Sequence, residues 1–259
     1  MTPHQTNALQ QLAVFFNGEG EILRAQQLAA QLNIAFYQAV AKETPENFFL
    51  CYRDGCLKLL DKELLKKGGL MVEIEPRPGE QRSFPAPKQG ALAQALGKSK
   101  TVVDATTGWG QDSLFMFRMG FSMLCIERSP VMAVLLEDAF ARLAHCEWVQ
   151  NLQLDVPKLL VGNAIDLLAT LETPPDCIYL DPMFPPKRKK SALAKKSMQM
   201  LHELIGQDDD REQLFNAAWQ ATGKRVVVKS PDYAEPLGGK PQQSFSGKLL
   251  RYDVYLKNG

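Results

Sequence analysis

From residue 101 onward, short apolar runs recur at intervals and are separated by stretches with helical spacing, a rhythm that predicts parallel strands joined by crossover helices. Strands are expected near 101–105, 122–126, 159–162, 177–180 and 225–229, and helices near 111–119, 130–146, 164–171 and 209–222. A helix over 91–96 leads into the first of these strands. The alternation is that of a doubly wound α/β sheet with helices on both faces. A last apolar run over 249–256 follows a Gly-, Gln- and Ser-rich connection too short in pattern for a crossover helix, so it is expected as an antiparallel edge strand.

Residues 1–84 follow a different pattern. The run 12–16 reads as a strand and 23–32 as a helix, while 48–52 and 56–60 flank Arg53-Asp54-Gly55, whose Asp-Gly pair is a strong hairpin signal. One more short strand is expected over 70–74. Pro76, Pro78, Pro85 and Pro87 then interrupt regular structure and mark a join. The chain therefore divides into a small N-terminal α+β domain over 1–84 and a Rossmann-like domain over 85–259. The first carries no recognisable catalytic constellation and reads as a scaffold or docking module, or alternatively as a domain that orients the substrate.

Composition narrows the class. With 259 residues and 45% hydrophobic content the chain can bury a full core, and a net charge of only +1 confines any nucleic-acid surface to local clusters. Apolar stretches stay below the ~18 residues of a membrane-spanning helix, and the N-terminus lacks a signal core, so a cytoplasmic protein is expected. Cys51, Cys56, Cys125, Cys146 and Cys177 are odd in number and form no Cys-x-x-Cys pair, which favours reduced thiols over disulfides or a metal site; no metal is expected.

The candidate chemistry lies at the ends of the predicted strands. Residues 101–112 form a strand, a turn containing Gly108 and Gly110, and a helix start, an arrangement that brings bare backbone close to a nucleotide. Asp104 at the strand end can orient this turn or accept hydrogen bonds from the ligand. Glu127 closes the next strand about 20 residues beyond Gly108, the separation at which an acid reaches a ribose diol. The strand 177–180 stops at Asp181-Pro182-Met183-Phe184-Pro185-Pro186, which no regular element can continue.

That last motif resembles the Asp/Asn-Pro-Pro-aromatic signature of methyltransferases acting on exocyclic or amide nitrogens, with Met183 replacing the second proline. Longer stretches, among them Val102-Val-Asp-Ala-Thr-x-Gly-x-Gly-x-Asp112, Glu127-Arg128-Ser-Pro-Val, Leu180-Asp-Pro-Met-Phe-Pro, Arg225-Val-Val-Val-Lys and Pro231-Asp-Tyr-Ala, resemble the RsmJ family over roughly residues 80–256. The resemblance implies a class I SAM-dependent methyltransferase (SAM, S-adenosyl-L-methionine) that modifies guanine N2 in 16S ribosomal RNA, with that RNA or the small ribosomal subunit as partner. By match to the family, Gln111 and Asp112 would contact the methionine part of SAM, Glu127 and Arg128 the ribose side, and Asn163 and Ala164 the adenine edge, with Asp166 as alternative or as a helix cap. The loop Phe84-Pro-Ala-Pro-Lys88-Gln-Gly90 stands where the family carries a Gly-rich segment.

On this reading Asp181 and the Pro182 carbonyl accept the hydrogens of the target amine, and Phe184 stacks on its base. Directly behind them, Lys187, Arg188, Lys189, Lys190, Lys195 and Lys196 give six basic residues in ten with no acid, placed to hold RNA phosphates. Lys224, Arg225, Lys229 and Tyr233 are candidates to extend that patch. The residues alone would equally fit a methyltransferase of DNA adenine or protein glutamine, or a catalytically silent SAM-fold RNA-binding protein.

Overall fold

A computed structural model describes residues 9–18, 22–39, 43–62, 69–75, 84–184, 210–247 and 249–257. Contacts group them into two compact units. The described residues up to Glu73 gather with Ser129–Arg142 into one, and the other joins Ile74–Arg128 with the described parts of Leu143–Lys190 and Asp208–Gly259.

In the first unit, β1 (Leu12–Phe15) runs parallel to both β2 (Ala35–Tyr37) and β3 (Phe48–Arg53), and β4 (Cys56–Asp61) closes the order β2-β1-β3-β4. The expected hairpin forms at Asp54-Gly55, where both residues adopt positive φ, 54° and 73°, as a two-residue turn with the right twist requires. Helix α1 (Ile22–Leu32) buries Ala25, Leu28, Ala29 and Leu32, one stripe at helical spacing. The short β2 escapes pattern reading because its three residues are only half-buried and show no alternation. The strand expected over 70–74 reduces to one bridge between Leu70 and Leu59.

Asp138 is the polar centre of this unit. It is buried, accepts the Leu57 amide at 3.1 Å and pairs with Arg142 at 2.8 Å, while Arg142 also donates to the Val72 carbonyl. A buried carboxylate is tolerable only with such partners.

The second unit is a seven-stranded sheet of order β10-β11-β9-β8-β5-β6-β7. Its parallel strands are β5 (Thr101–Asp104), β6 (Ser122–Glu127), β7 (Lys158–Val161), β8 (Cys177–Leu180) and β9 (Arg225–Pro231). Its helices, in chain order, are α2 (Gly90–Leu96), α3 (Gln111–Arg118), α5 (Glu147–Asn151), α6 (Ala164–Leu168) and α7 (Arg211–Ala221); α4 (Pro130–Ala144), which lies between α3 and α5 in the chain, belongs to the first unit as far as Arg142. Val103, Ile126, Ile178, Leu180, Val226 and Val228 share one apolar core with Leu214, Phe215 and Ala218 of α7. Near-continuous apolar strands are what a parallel sheet covered on both faces demands.

The final strand departs from expectation. β11 (Leu250–Leu256) is antiparallel to β9, as expected, but it is not the edge: β10 (Gln243–Ser246) pairs outside it, also antiparallel. The sequence Gln-Ser-Phe-Ser is mostly exposed, so no hydrophobic period betrays it as a strand. Near the opposite edge, the helix expected over 130–146 ends at Ala144 and a separate short α5 follows.

Candidate active site

Because β5 to β9 are parallel, their carboxyl ends lie along one edge of the sheet, and the loops that leave them meet there. All five carry residues singled out from sequence: Asp104 to Asp112 at the end of β5 and after it, Glu127 and Arg128 at the end of β6, Asn163 and Ala164 after β7, Asp181 to Phe184 after β8, and Lys229 and Tyr233 at the end of β9 and after it.

The β5 turn is held from both sides. Gly108 and Gly110 take positive φ, 53° and 67°, so the chain reverses within a few residues and enters α3 at Gln111. The Gly108 amide donates to Glu127 Oε2 at 2.7 Å, and Thr107 Oγ1 donates to the Ile126 carbonyl at 3.0 Å. Glu127 is itself buried. Asp104 is 1% exposed; its Oδ1 accepts the Thr106 amide at 3.0 Å and its Oδ2 accepts the Ser113 hydroxyl. Burial pushes the Asp104 carboxyl up to about 7, with Asp112 and Asp181 adding to the rise and the Ser113 and Thr106 hydrogen bonds opposing it.

Asp181 is tied to the same turn. Its amide donates to Thr106 Oγ1 at 2.6 Å, and its Oδ2 accepts Lys229 Nζ at 2.8 Å. Lys229 also donates to Asp112 Oδ2 at 2.7 Å, the oxygen that accepts the Tyr179 hydroxyl at 2.6 Å. Burial works against the Lys229 charge, but Asp181 and Asp112 more than offset it and hold the ammonium protonated far above neutral pH. Burial next to these acids likewise raises Tyr179 well above its ordinary value and Tyr252 to about 12.

On the β7 side, Asn163 caps α6, its Oδ1 accepting the Ile165 amide at 3.0 Å. The cap is therefore Asn163 and not Asp166. Arg128 pairs with Asp210 at 3.3 Å. Phe184 is partly buried against the sheet core, with the Arg211 guanidinium 5.4 Å from its ring centre. Together with Asp210, Tyr233, Ala234 and Leu237 these two line a cleft of about 630 Å³. The Pro231–Ala234 wall of that cleft is strapped by Arg251, which donates to the carbonyls of Pro231, Asp232 and Ala234 and is itself held by Asp253.

Other expectations part company with the structure. Lys224 and Arg225 begin β9 and so sit at the opposite edge of the sheet, where Lys224 pairs with Asp176 at 2.7 Å and Arg225 donates to the Ala95 carbonyl at 3.0 Å. Only Lys229 and Tyr233, from its carboxyl end, reach the site edge. Lys187, Arg188, Lys189, Lys190, Lys195 and Lys196 lie outside the described residues. The five cysteines are free thiols, three of them buried. Among the described residues there is no group of three or more potential metal ligands and no helix long and apolar enough to cross a membrane.

A parallel sheet of this order, with one antiparallel strand set inside its edge, a glycine turn after the central strand, an acid ending the next and an Asp-Pro-x-Phe loop, is the architecture of a class I SAM-dependent methyltransferase. The donor set suits that cofactor, which offers a diol and an ammonium to a buried glutamate and a pair of aspartates. The chain belongs to the SAM-dependent methyltransferase family, whose model, SAM_MT, matches residues 31–257. Its relatives include the ribosomal RNA small subunit methyltransferase J of Aeromonas salmonicida, 39% identical over 90% of this chain and 92% of that protein. The protein of the same name from Coxiella burnetii is 34% identical over 95% of this chain and 96% of its own length. Among solved structures, a SAM-dependent methyltransferase from Neisseria gonorrhoeae shares the fold, with a TM-score of 0.65 at 24% identity over 94% of this chain and 96% of that one.

Proposed function

We propose that the protein transfers a methyl group from SAM to the exocyclic N2 of a guanosine in 16S ribosomal RNA, acting in the cytoplasm on that RNA or on the small subunit. The observation that carries this reading is the junction at Thr106, where the Asp181 loop is hydrogen-bonded to the glycine turn expected to receive the cofactor. Target and cofactor loops are thereby held to a common point.

When bound, SAM supplies an electrophilic methyl on its sulfonium. The chain's residues do the rest. Glu127, hydrogen-bonded to the turn, would accept from the ribose hydroxyls, while Gly108, Gly110, Gln111 and Asp112 would hold the methionine portion. Asp104, enclosed by Thr106 and Ser113, shapes the turn from beneath. Arg128, Asn163 and Ala164 flank the nucleoside.

A guanine amine is a weak nucleophile because its lone pair is delocalised into the ring, so the site must favour a geometry in which that pair points out of plane. Asp181 and the Pro182 carbonyl accept its two hydrogens, and Phe184 stacks on the base and fixes its approach. Once methylated, the nitrogen is strongly acidic and its proton leaves to Asp181 or to water. A target within paired RNA must be flipped out to reach Phe184. The basic residues 187–190, 195 and 196, which follow Phe184 directly in the chain, hold the flanking phosphates.

The N-terminal domain, residues 1–84, serves as a scaffold or docking module, or alternatively orients the RNA. Methyl transfer from labelled SAM to undermethylated small-subunit RNA, set against DNA and protein, tests the reading. Label confined to RNA supports it, and label in DNA or protein, or in none of the three, opposes it.

A further inference from the structure

Lys229 follows Val228, which pairs with Leu180 of β8, so it stands beside the point where the Asp181 loop leaves the sheet. Its single ammonium bridges two carboxylates from different elements, Asp112 on α3 and Asp181 after β8, at 2.7 and 2.8 Å. The lysine side chain is 22% exposed, against 29% for Asp112 and 39% for Asp181, so solvent screens the Asp181 pair more than the Asp112 pair. Among the described residues the groups facing it are acidic or phenolic: Asp112, Asp181, Tyr179 from β8 and Tyr252 on β11, the register partner of Lys229, with Asp104 of β5 beside both carboxylates.

Two carboxylates close enough to share one ammonium repel each other and, in a partly buried site, would together retain a proton. A carboxylate that keeps a proton is a poor acceptor for the cofactor's ammonium or for a target amine. We propose that Lys229 is a positioning residue, the internal counter-ion that offsets the mutual repulsion of Asp112 and Asp181 and holds them toward each other before either ligand arrives. This inference rests on the reading of Asp181 given above for its catalytic consequence, but not for its electrostatic one.

Lysine then does what no residue in contact with the reacting atoms could do without competing for them. It joins the cofactor-side acid to the target-side acid through one oxygen of each, Oδ2. Arginine can supply the same charge, and methionine the same length without it.

The test uses the full chain with Lys229→Met and Lys229→Arg, each checked for folding by thermal melting; Lys229→Gln takes the place of the methionine variant if that fails to fold. Calorimetry of SAM binding in buffers of different ionisation enthalpy counts protons released. In mildly acidic buffer Lys229→Met should release up to about one proton more than the wild type or Lys229→Arg, in all of which Asp104 contributes alike, because the cofactor's ammonium displaces the proton that Asp112 and Asp181 then share. Single-turnover methyl transfer at saturating SAM should fall about tenfold or more in Lys229→Met in the same buffer and recover largely at alkaline pH, a shift of about one pH unit or more in the acid limb. Proton release and a pH profile in Lys229→Met indistinguishable from wild type would overturn the proposal. So would an arginine variant as impaired as the methionine one, which would reduce Lys229 to packing. Asp181→Asn separates the two claims: a wild-type rate there sinks the catalytic reading of Asp181, whereas proton release in Lys229→Met judges Lys229 alone.

Discussion

The Gly108 amide donates to Glu127 Oε2 at 2.7 Å, so the acid that ends β6 also closes the turn that ends β5. One carboxylate therefore has two duties, shaping the turn and accepting from the cofactor's ribose. Glu127→Ala should weaken SAM binding by about 1–3 kcal/mol, the cost of leaving donors without a charged acceptor, while the fold is retained. Calorimetry on a folded variant checks it, and unchanged affinity would remove Glu127 from the site.

Asp104 should make stability depend on pH in an unusual direction. Unfolded, it ionises near 3.8; folded, burial holds its proton to about 7. Between those values the folded state binds more protons, so the contribution is fully present below about pH 3.8 and is lost as pH rises through 7. Relative to Asp104→Asn, the wild type should lose stability across that window, by at most about 4 kcal/mol. Denaturant melts at several pH values decide it, and parallel curves for the two proteins would contradict the assignment.

Asp181 and Phe184 should fail differently. Asp181→Ala at saturating SAM should lower the single-turnover rate by about 10²-fold with RNA affinity kept, because its hydrogen bond to the amine matters most in the transition state. Phe184→Ala should instead weaken engagement of the flipped base by about 1–3 kcal/mol of lost stacking. Near-normal chemistry in Asp181→Ala would mean that the Asp-Pro-Met-Phe turn only shapes the pocket.

Neutralising Lys187, Arg188, Lys189 and Lys190 together should weaken RNA binding and flatten its dependence on salt, by roughly 0.7–0.9 in log–log slope for each phosphate that no longer has a cation beside it. SAM affinity should hardly move. An unaltered slope would show the run to be a solvated face.

The elements legible in the sequence were those whose hydrophobic period is strong. The strands β5, β6, β8 and β9 carry buried apolar stretches at the middle of the sheet, and Asp54-Gly55 declares its hairpin through backbone conformation alone. What stayed hidden depended on partners distant in sequence. Nothing in Gln243–Ser246 marks a strand until β11 lies beside it. Thr106 looks like turn filling, yet its hydroxyl is the acceptor that holds Asp181, 75 residues further on. Lys229 reads as one more cation of a basic patch, and only the parallel register of β8 and β9 turns it toward two acids, whereas Lys224 and Arg225, a few residues earlier on the same strand, end at the far edge.

The central claim is that this site methylates guanine N2 in ribosomal RNA, and the identity of the modified nucleoside tests it most directly. Undermethylated small-subunit RNA is incubated with the protein and labelled SAM, digested to nucleosides and separated. Label is expected in N2-methylguanosine, formed by the wild type and about 10²-fold more slowly by Asp181→Ala. Label in any other nucleoside, or an RNA left unlabelled by a folded protein that binds SAM, would contradict it.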